Sequence, residues 1–188
     1  FDFDAALGLL PYLATLGVSH VYCSPILAAQ PGSTHGYDVV DPARVDPALG
    51  GEAGFERLAE AAHAAGLGIM VDIVPNHMGI AGPANGWWDD VLRQGPASPH
   101  APVFDIDWDA DPARRLRLPI LGASIDEARE AGHFELRRNP GGDWRLRYHE
   151  HDLPVAPAGI EALERHAGST AREGVLHEAG ALEALLEA

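Results

Sequence analysis

The chain has 188 residues, 46% of them hydrophobic, and its 13 basic residues, every one Arg, face 28 acidic ones for a net charge of −15. That length supports one domain with a sizeable core, and the acidic balance argues against phosphate backbones or anionic membranes as partners. No apolar run approaches the ~20 residues that span a bilayer, the N-terminus lacks a secretory leader, and the single Cys23 allows no disulfide within the chain, which favours a cytoplasmic protein.

The chain opens at Phe1 without an initiating Met and closes in a helical pattern over 182–188, so a piece of a longer protein is expected. Leu7, Leu10, Leu13 and Leu16 recur at helical spacing, with Pro11 expected to turn or kink the helix and Gly17 to end it. Val18–Cys23 alternates and is β-rich, and Ser24-Pro25 stops it ahead of a loop rich in Gly, Ser and Thr. A second helix is predicted from Gly51 to Ala65, with Phe55, Leu58 and Ala62 on one face and Gly66 as its stop. Leu67–Val74 is a nearly continuous apolar run, which predicts a strand buried on both faces of a parallel sheet. This alternation argues an α/β fold, doubly wound or barrel.

After Pro75 the pattern becomes irregular, with one short helix expected over Trp87–Arg93. Phe134–Arg138 and Trp144–Tyr148 alternate about Asn139-Pro140-Gly141-Gly142, a hairpin signal, and helices are expected from about Gly159.

In parallel α/β folds function gathers beyond the C-terminal ends of strands. Gly32-Ser33-Thr34-His35-Gly36-Tyr37-Asp38 follows the first predicted strand, and Asp72-Ile73-Val74-Pro75-Asn76-His77 ends the second. A sugar needs an aromatic face for its C–H surface and directional polar partners for its hydroxyls. Tyr37 can stack, His77, Asp38 and His35 can hydrogen-bond hydroxyls, and Asp72 and Asn76 can hold the rim in shape. The competing reading is a Tyr and His satisfied inside loop packing.

Other motifs carry less. Asp105, Asp107, Asp109 and Asp111 alternate as in a calcium loop, but Ala110 stands where Gly is needed and Leu116 where a bidentate Glu is needed. Tyr148-His149-Glu150-His151 is a lone His-x-His, better read as a polar loop than as a metal site. Trp87 and Trp88 can line a glycan cleft or anchor the insertion. Cys23 has no basic neighbour to activate it, Ser24 and Ser33 lack the hydrolase elbow, and no phosphate-binding glycine loop is present.

Asp72 through Asn76-His77 resembles the first conserved region of the α-amylase clan, and Gly36-Tyr37-Asp38 resembles the Gly-Tyr-Asp segment that follows its preceding strand. Tyr22-Cys23-Ser24-Pro25-Ile26-Leu27, Pro31 through Val39, Leu49-Gly50-Gly51, Val74-Pro75-Asn76-His77-Met78, Asn85-Gly86-Trp87-Trp88, Phe104-Asp105-Ile106-Asp107-Trp108 and Leu153-Pro154-Val155-Ala156-Pro157 are similar to maltooligosyl trehalose synthases. Cys23 departs from the pattern, and the stretch past Gly159 matches least.

The resemblance implies a partial (β/α)8 barrel, from the first helix to the third barrel strand, with an irregular α+β insertion after that strand. Residues 1–78 would be barrel, 79–158 the insertion with its hairpin, and 159–188 a helical return. It implies an enzyme that converts the reducing-end α-1,4 link of a maltooligosaccharide or linear α-1,4-glucan into an α,α-1,1 link by intramolecular transglucosylation. A trehalohydrolase acting on the product would be its functional neighbour. Tyr37, His77, Asp38 and His35 match substrate-binding positions, and Asp72 and Asn76 supporting ones. No cofactor or metal is implied, and the catalytic acids are expected after Ala188. An α-amylase-type hydrolase or glucanotransferase, and a non-catalytic glycan-binding relic, are the alternatives.

Overall fold

In the computed structural model, which describes residues 1–167, helix α1 spans Phe3–Leu16. Asp2 caps it by accepting the Ala5 N–H at 2.8 Å, and Gly17, left-handed at φ 82°, closes it as the sequence predicts. Pro11 does not turn the chain: it lies inside the unbroken helix, where burial of Phe3 and Leu10 against Leu58 outweighs the one backbone bond that proline forfeits.

Strand β1 (His20–Cys23) follows, then β2 (Leu27–Ala29) and β3 (Val39–Val45), an antiparallel pair inside the stretch expected to be loop. Its register shifts on both sides of Ala28, and Pro42 interrupts the alternation, so no period-2 signal marks it. Helix α2 (Gly51–Ala64) and β4 (Gly68–Val71) complete the first compact unit, Phe1–Asn85. β1 and β4 pair in parallel, His20 opposite Gly68 through Cys23 opposite Val71. Helices α1 and α2 pack together over one side, with Phe3, Leu10, Ile26, Leu58, Ala62 and Leu67 buried and Val21, Cys23, Ile69 and Val71 against them.

The second strand is therefore not buried on both faces. Met70 is 54% exposed and Tyr22 63%, because helices cover only the face that carries Val21 and Ile69, and Ile73 is 69% exposed because it lies past the strand's end. The strand is also shorter than the apolar run, since the Asp72 carboxylate takes the Ile73 N–H at 2.9 Å and the chain leaves the ladder before Pro75.

A second unit begins at Gly86. It contains α3 (Gly86–Gln94), α4 (Ile125–Glu130), the antiparallel meander β5 (Phe134–Arg138), β6 (Trp144–Tyr148) and β7 (His151–Pro154), and α5 (Pro157–Ala167). The predicted hairpin is present with its stated bounds. Ser124 and Glu127 form a reciprocal capping box at α4. The helical pattern over 182–188 lies outside the described residues.

Leu136, Trp144, Val155 and Leu163 form this unit's core, and beside them Arg145 is only 3% exposed. Its guanidinium reaches Asp89 Oδ1 at 2.6 Å, Asp152 Oδ1 at 3.1 Å and the Asp152 carbonyl at 2.6 Å, tying α3 to β6 and β7. Burial disfavours its charge, but the bonds to Asp89 and Asp152 outweigh that and hold its pKa above the ordinary value. Among the described residues no strand set closes into a barrel, and no helix is long and apolar enough to cross a membrane.

Arg145→Ala leaves Asp89 with only Arg93 and Asp152 with only Arg137, strips the Asp152 carbonyl of its partner, and should cost about 1–3 kcal/mol. Urea unfolding checks this, and a loss below about 1 kcal/mol would mean that solvent already screens the cluster.

Candidate functional site

Two rim segments meet beyond the β1 and β4 ends. The first is folded by its own polar groups: Ser33 N–H donates to the Gln30 carbonyl at 2.9 Å, Gly36 N–H to Ser33 Oγ at 3.2 Å, and Ser33 Oγ to Asp38 Oδ1 at 2.5 Å. Gly36 sits at φ 77°, and a Cβ there would run into the Pro25 carbonyl, so the tight approach requires glycine. Tyr37 N–H donates to His35 Nδ1 at 3.0 Å, which fixes that nitrogen as an acceptor. Asp38 is spent mainly on Ser33, with His35 Nδ1 3.8 Å away.

The second segment locks onto the first. Tyr37 Oη donates to Asp72 Oδ2 at 2.7 Å, and His77 Nε2 donates to the Tyr37 carbonyl at 3.0 Å. His77 Nδ1 lies 3.1 Å from the Asn76 side-chain amide, which partners it by turning its NH2 to the ring, since Nε2 carries the proton. Gly79 N–H donates to the Val39 carbonyl at 2.7 Å, and a Cβ on Gly79 would meet the Asp38 carbonyl 2.6 Å away. Buried Asn85 holds the far end by donating to the Gly79 carbonyl at 3.0 Å.

The structure thus joins Tyr37, His77, Asp72 and Asn76 in one network, with His35 and Asp38 shaping the turn beneath. Tyr37 is 40% exposed, so its ring is accessible although its hydroxyl is occupied. The hydrogen bond to Asp72 pushes the Tyr37 phenol above its usual range, and Tyr22 is raised for the same reason. Asp72 is held below the usual carboxylate range, first by the Tyr37 hydroxyl and then by that of Tyr22. Sequence reasoning missed Tyr22 as a site residue. The available signal was its place on the strand, two residues from His20 and on the face opposite Val21.

The tryptophans separate in the second unit. Trp88 is buried with its ring 5.0 Å from Phe104 and is an anchor, whereas half-buried Trp87 stacks on His100 at 5.2 Å. Cys23 is half-buried, and burial pushes its thiol pKa up, away from nucleophilic range. Among the described residues no group of three or more His, Cys, Asp or Glu side chains is arranged to hold a metal ion.

Asp72→Leu should return the late-titrating tyrosines toward the ordinary value of about 10, which ultraviolet absorbance titration reads. Because the Asp72 pKa is depressed, its link to Tyr37 is complete above the ordinary carboxylate range and is lost as pH falls through the folded value. Carboxyl 13C NMR of the native protein should therefore show Asp72 ionised at about pH 5 and taking up its proton only below about pH 4.

Residues 2–108 match the family described as Alpha amylase, catalytic domain. The chain is 51% identical over 158 residues to a Mycobacterium tuberculosis (strain H37Rv) protein described as a maltooligosyl trehalose synthase, covering 84% of this chain and 19% of that protein. It is 38% identical over 142 residues to a malto-oligosyltrehalose trehalohydrolase of Rhizobium sp. (strain M-11), covering 66% of this chain and 24% of that one. Among solved structures it resembles maltooligosyltrehalose synthase from Arthrobacter ramosus, with TM-score 0.74 and 49% identity over 85% of this chain and 20% of the other. The chain spans about a fifth of the length of these synthases.

Proposed function

The chain belongs to the α-amylase catalytic-domain family, and from that premise we propose that it is part of an enzyme that converts the reducing-end α-1,4 link of a maltooligosaccharide into an α,α-1,1 link. The observation that carries this reading is the accessible Tyr37 ring, pinned through its hydroxyl to Asp72 and through its carbonyl to His77. Such a ring presents a fixed face for a sugar's C–H surface, and its hydroxyl does not turn into the cleft. Half identity to a synthase across most of the chain favours rearrangement over simple hydrolysis.

On this reading β1 and β4 are neighbouring strands of a (β/α)8 barrel, and their uncovered face with Tyr22 and Met70 looks inward. Residues 1–78 are barrel and 79–158 the insertion, and most of the stretch 159–188 assigned to a helical return lies outside the described residues. His77, Asp38 and His35 are the polar contacts to the sugar, while Asp72 and Asn76 support them. A sugar hydroxyl must share the His77 Nε2–H with the Tyr37 carbonyl, so it enters as the second acceptor of a bifurcated bond. The nucleophile and acid/base, about 5 Å apart in a retaining mechanism, lie beyond Ala188, and this stretch alone does not turn over substrate. A cytoplasmic location and a trehalohydrolase that consumes the product belong to the same reading; the relative of that name supports the second.

The test is product analysis on the full-length parent with maltopentaose. Loss of reducing ends with little glucose or maltose released is the expected result, and steady release of short sugars would move the assignment to a hydrolase. Tyr37→Ala and His77→Ala should each lower kcat/KM by about 10–100-fold.

A further inference from the structure

We infer that His35 is a positioning residue for Tyr37, holding the Tyr37 main chain through the unprotonated Nδ1 of its ring; this rests on the sugar-binding reading above. A main-chain N–H can only donate, so the 3.0 Å bond from Tyr37 N–H requires a lone pair on Nδ1 and puts the ring proton on Nε2. The residue before Tyr37 makes this bond consequential. Gly36, at φ 77°, has no Cβ to limit the plane of the peptide that follows it. The His35 acceptor fixes that plane, reaching two residues on as an Asn side chain does in an Asx turn. The His35 and Tyr37 rings also lie near each other, centroids 6.0 Å apart with a 34° tilt, a contact that a carbocyclic ring would keep.

Tyr37 is thereby gripped on both sides of its Cα by imidazoles in opposite roles: His35 accepts from its N–H, and His77 Nε2 donates to its carbonyl at 3.0 Å. His77 donates from Nε2 whether its ring is neutral or charged, whereas a charged His35 has no lone pair to offer. Its new Nδ1–H would turn to Asp38 Oδ1, 3.8 Å away, which the Ser33 hydroxyl already holds at 2.5 Å. The other ionisable groups around Tyr37 are Asp72 on its hydroxyl, Tyr22 on β1, and His77. Protonation of His35 therefore exchanges a bond to the sugar platform for one to the turn beneath it, and sugar binding weakens on the acid side.

In the full-length parent, His35→Asn keeps an acceptor in the place of Nδ1, and His35→Leu has about the same bulk and none. Whatever Nε2–H gives a sugar is missing from both, so their difference isolates the Nδ1 bond. We expect kcat/KM on maltopentaose to be about 3–10-fold higher in His35→Asn than in His35→Leu, mainly through KM, with His35→Phe no better than His35→Leu. In the unliganded protein, 15N NMR with labelled Tyr and His should show the Tyr37 amide shifting with the same midpoint as the His35 ring, and no such shift in His35→Asn. Equal activity of His35→Asn and His35→Leu, or a Tyr37 amide blind to the His35 titration, overturns the inference. An inert Tyr37→Ala would instead sink the sugar-binding reading, and the amide titration, which uses no substrate, would still report the His35 link.

Discussion

The first unit depends on where Asp72 sits. Its backbone continues the pairing of two parallel strands, and its side chain does not, turning back to take the Ile73 N–H and across to take the Tyr37 hydroxyl. One residue therefore ends the strand and closes the rim. An apolar residue there would leave the Tyr37 hydroxyl unanchored, with only the residue's main chain held by His77 and His35. The carboxylate is only half-buried, so its effect is directional rather than a large contribution to stability: it selects one orientation of the Tyr37 ring.

Much of this was legible because it rests on local chemistry. Asp2 and Gly17 frame α1, and the Asn139–Gly142 turn fixes the bounds of its hairpin. The chemical loading of the two strand ends drew attention to Tyr37, His77 and Asp72 before any geometry was known. What escaped has a common cause: it depends on partners distant in sequence. The β2 and β3 pair has register shifts and an interior Pro42, so its alternation is broken. Met70 and Ile73 read as core because they are apolar, but Met70 lies on the face the helices leave open and Ile73 beyond the end of the strand. Tyr22 reads as a strand former, and only the register reveals the carboxylate diagonal to it.

The second unit is organised differently. Its meander encloses a small apolar core, and beside that core lies a nearly dry guanidinium with two carboxylates. A buried charge of this kind is often no more stabilising than an apolar replacement of equal volume. Its geometry is nevertheless demanding, because Arg145 must meet a helix side chain, a strand side chain and a strand carbonyl at once. An apolar core can be filled in several ways, and this one is restricted to the arrangement that satisfies all three acceptors.

The bond from Gly79 to the Val39 carbonyl, with the Asp38 carbonyl against the same glycine, joins the two rim segments through main chain rather than side chains. Motion of one segment therefore requires breaking a backbone link to the other. In amide-exchange terms the rim is one cooperative opening unit, and the Ser33, Gly36, Tyr37 and Gly79 amides share a single opening free energy instead of fraying one by one.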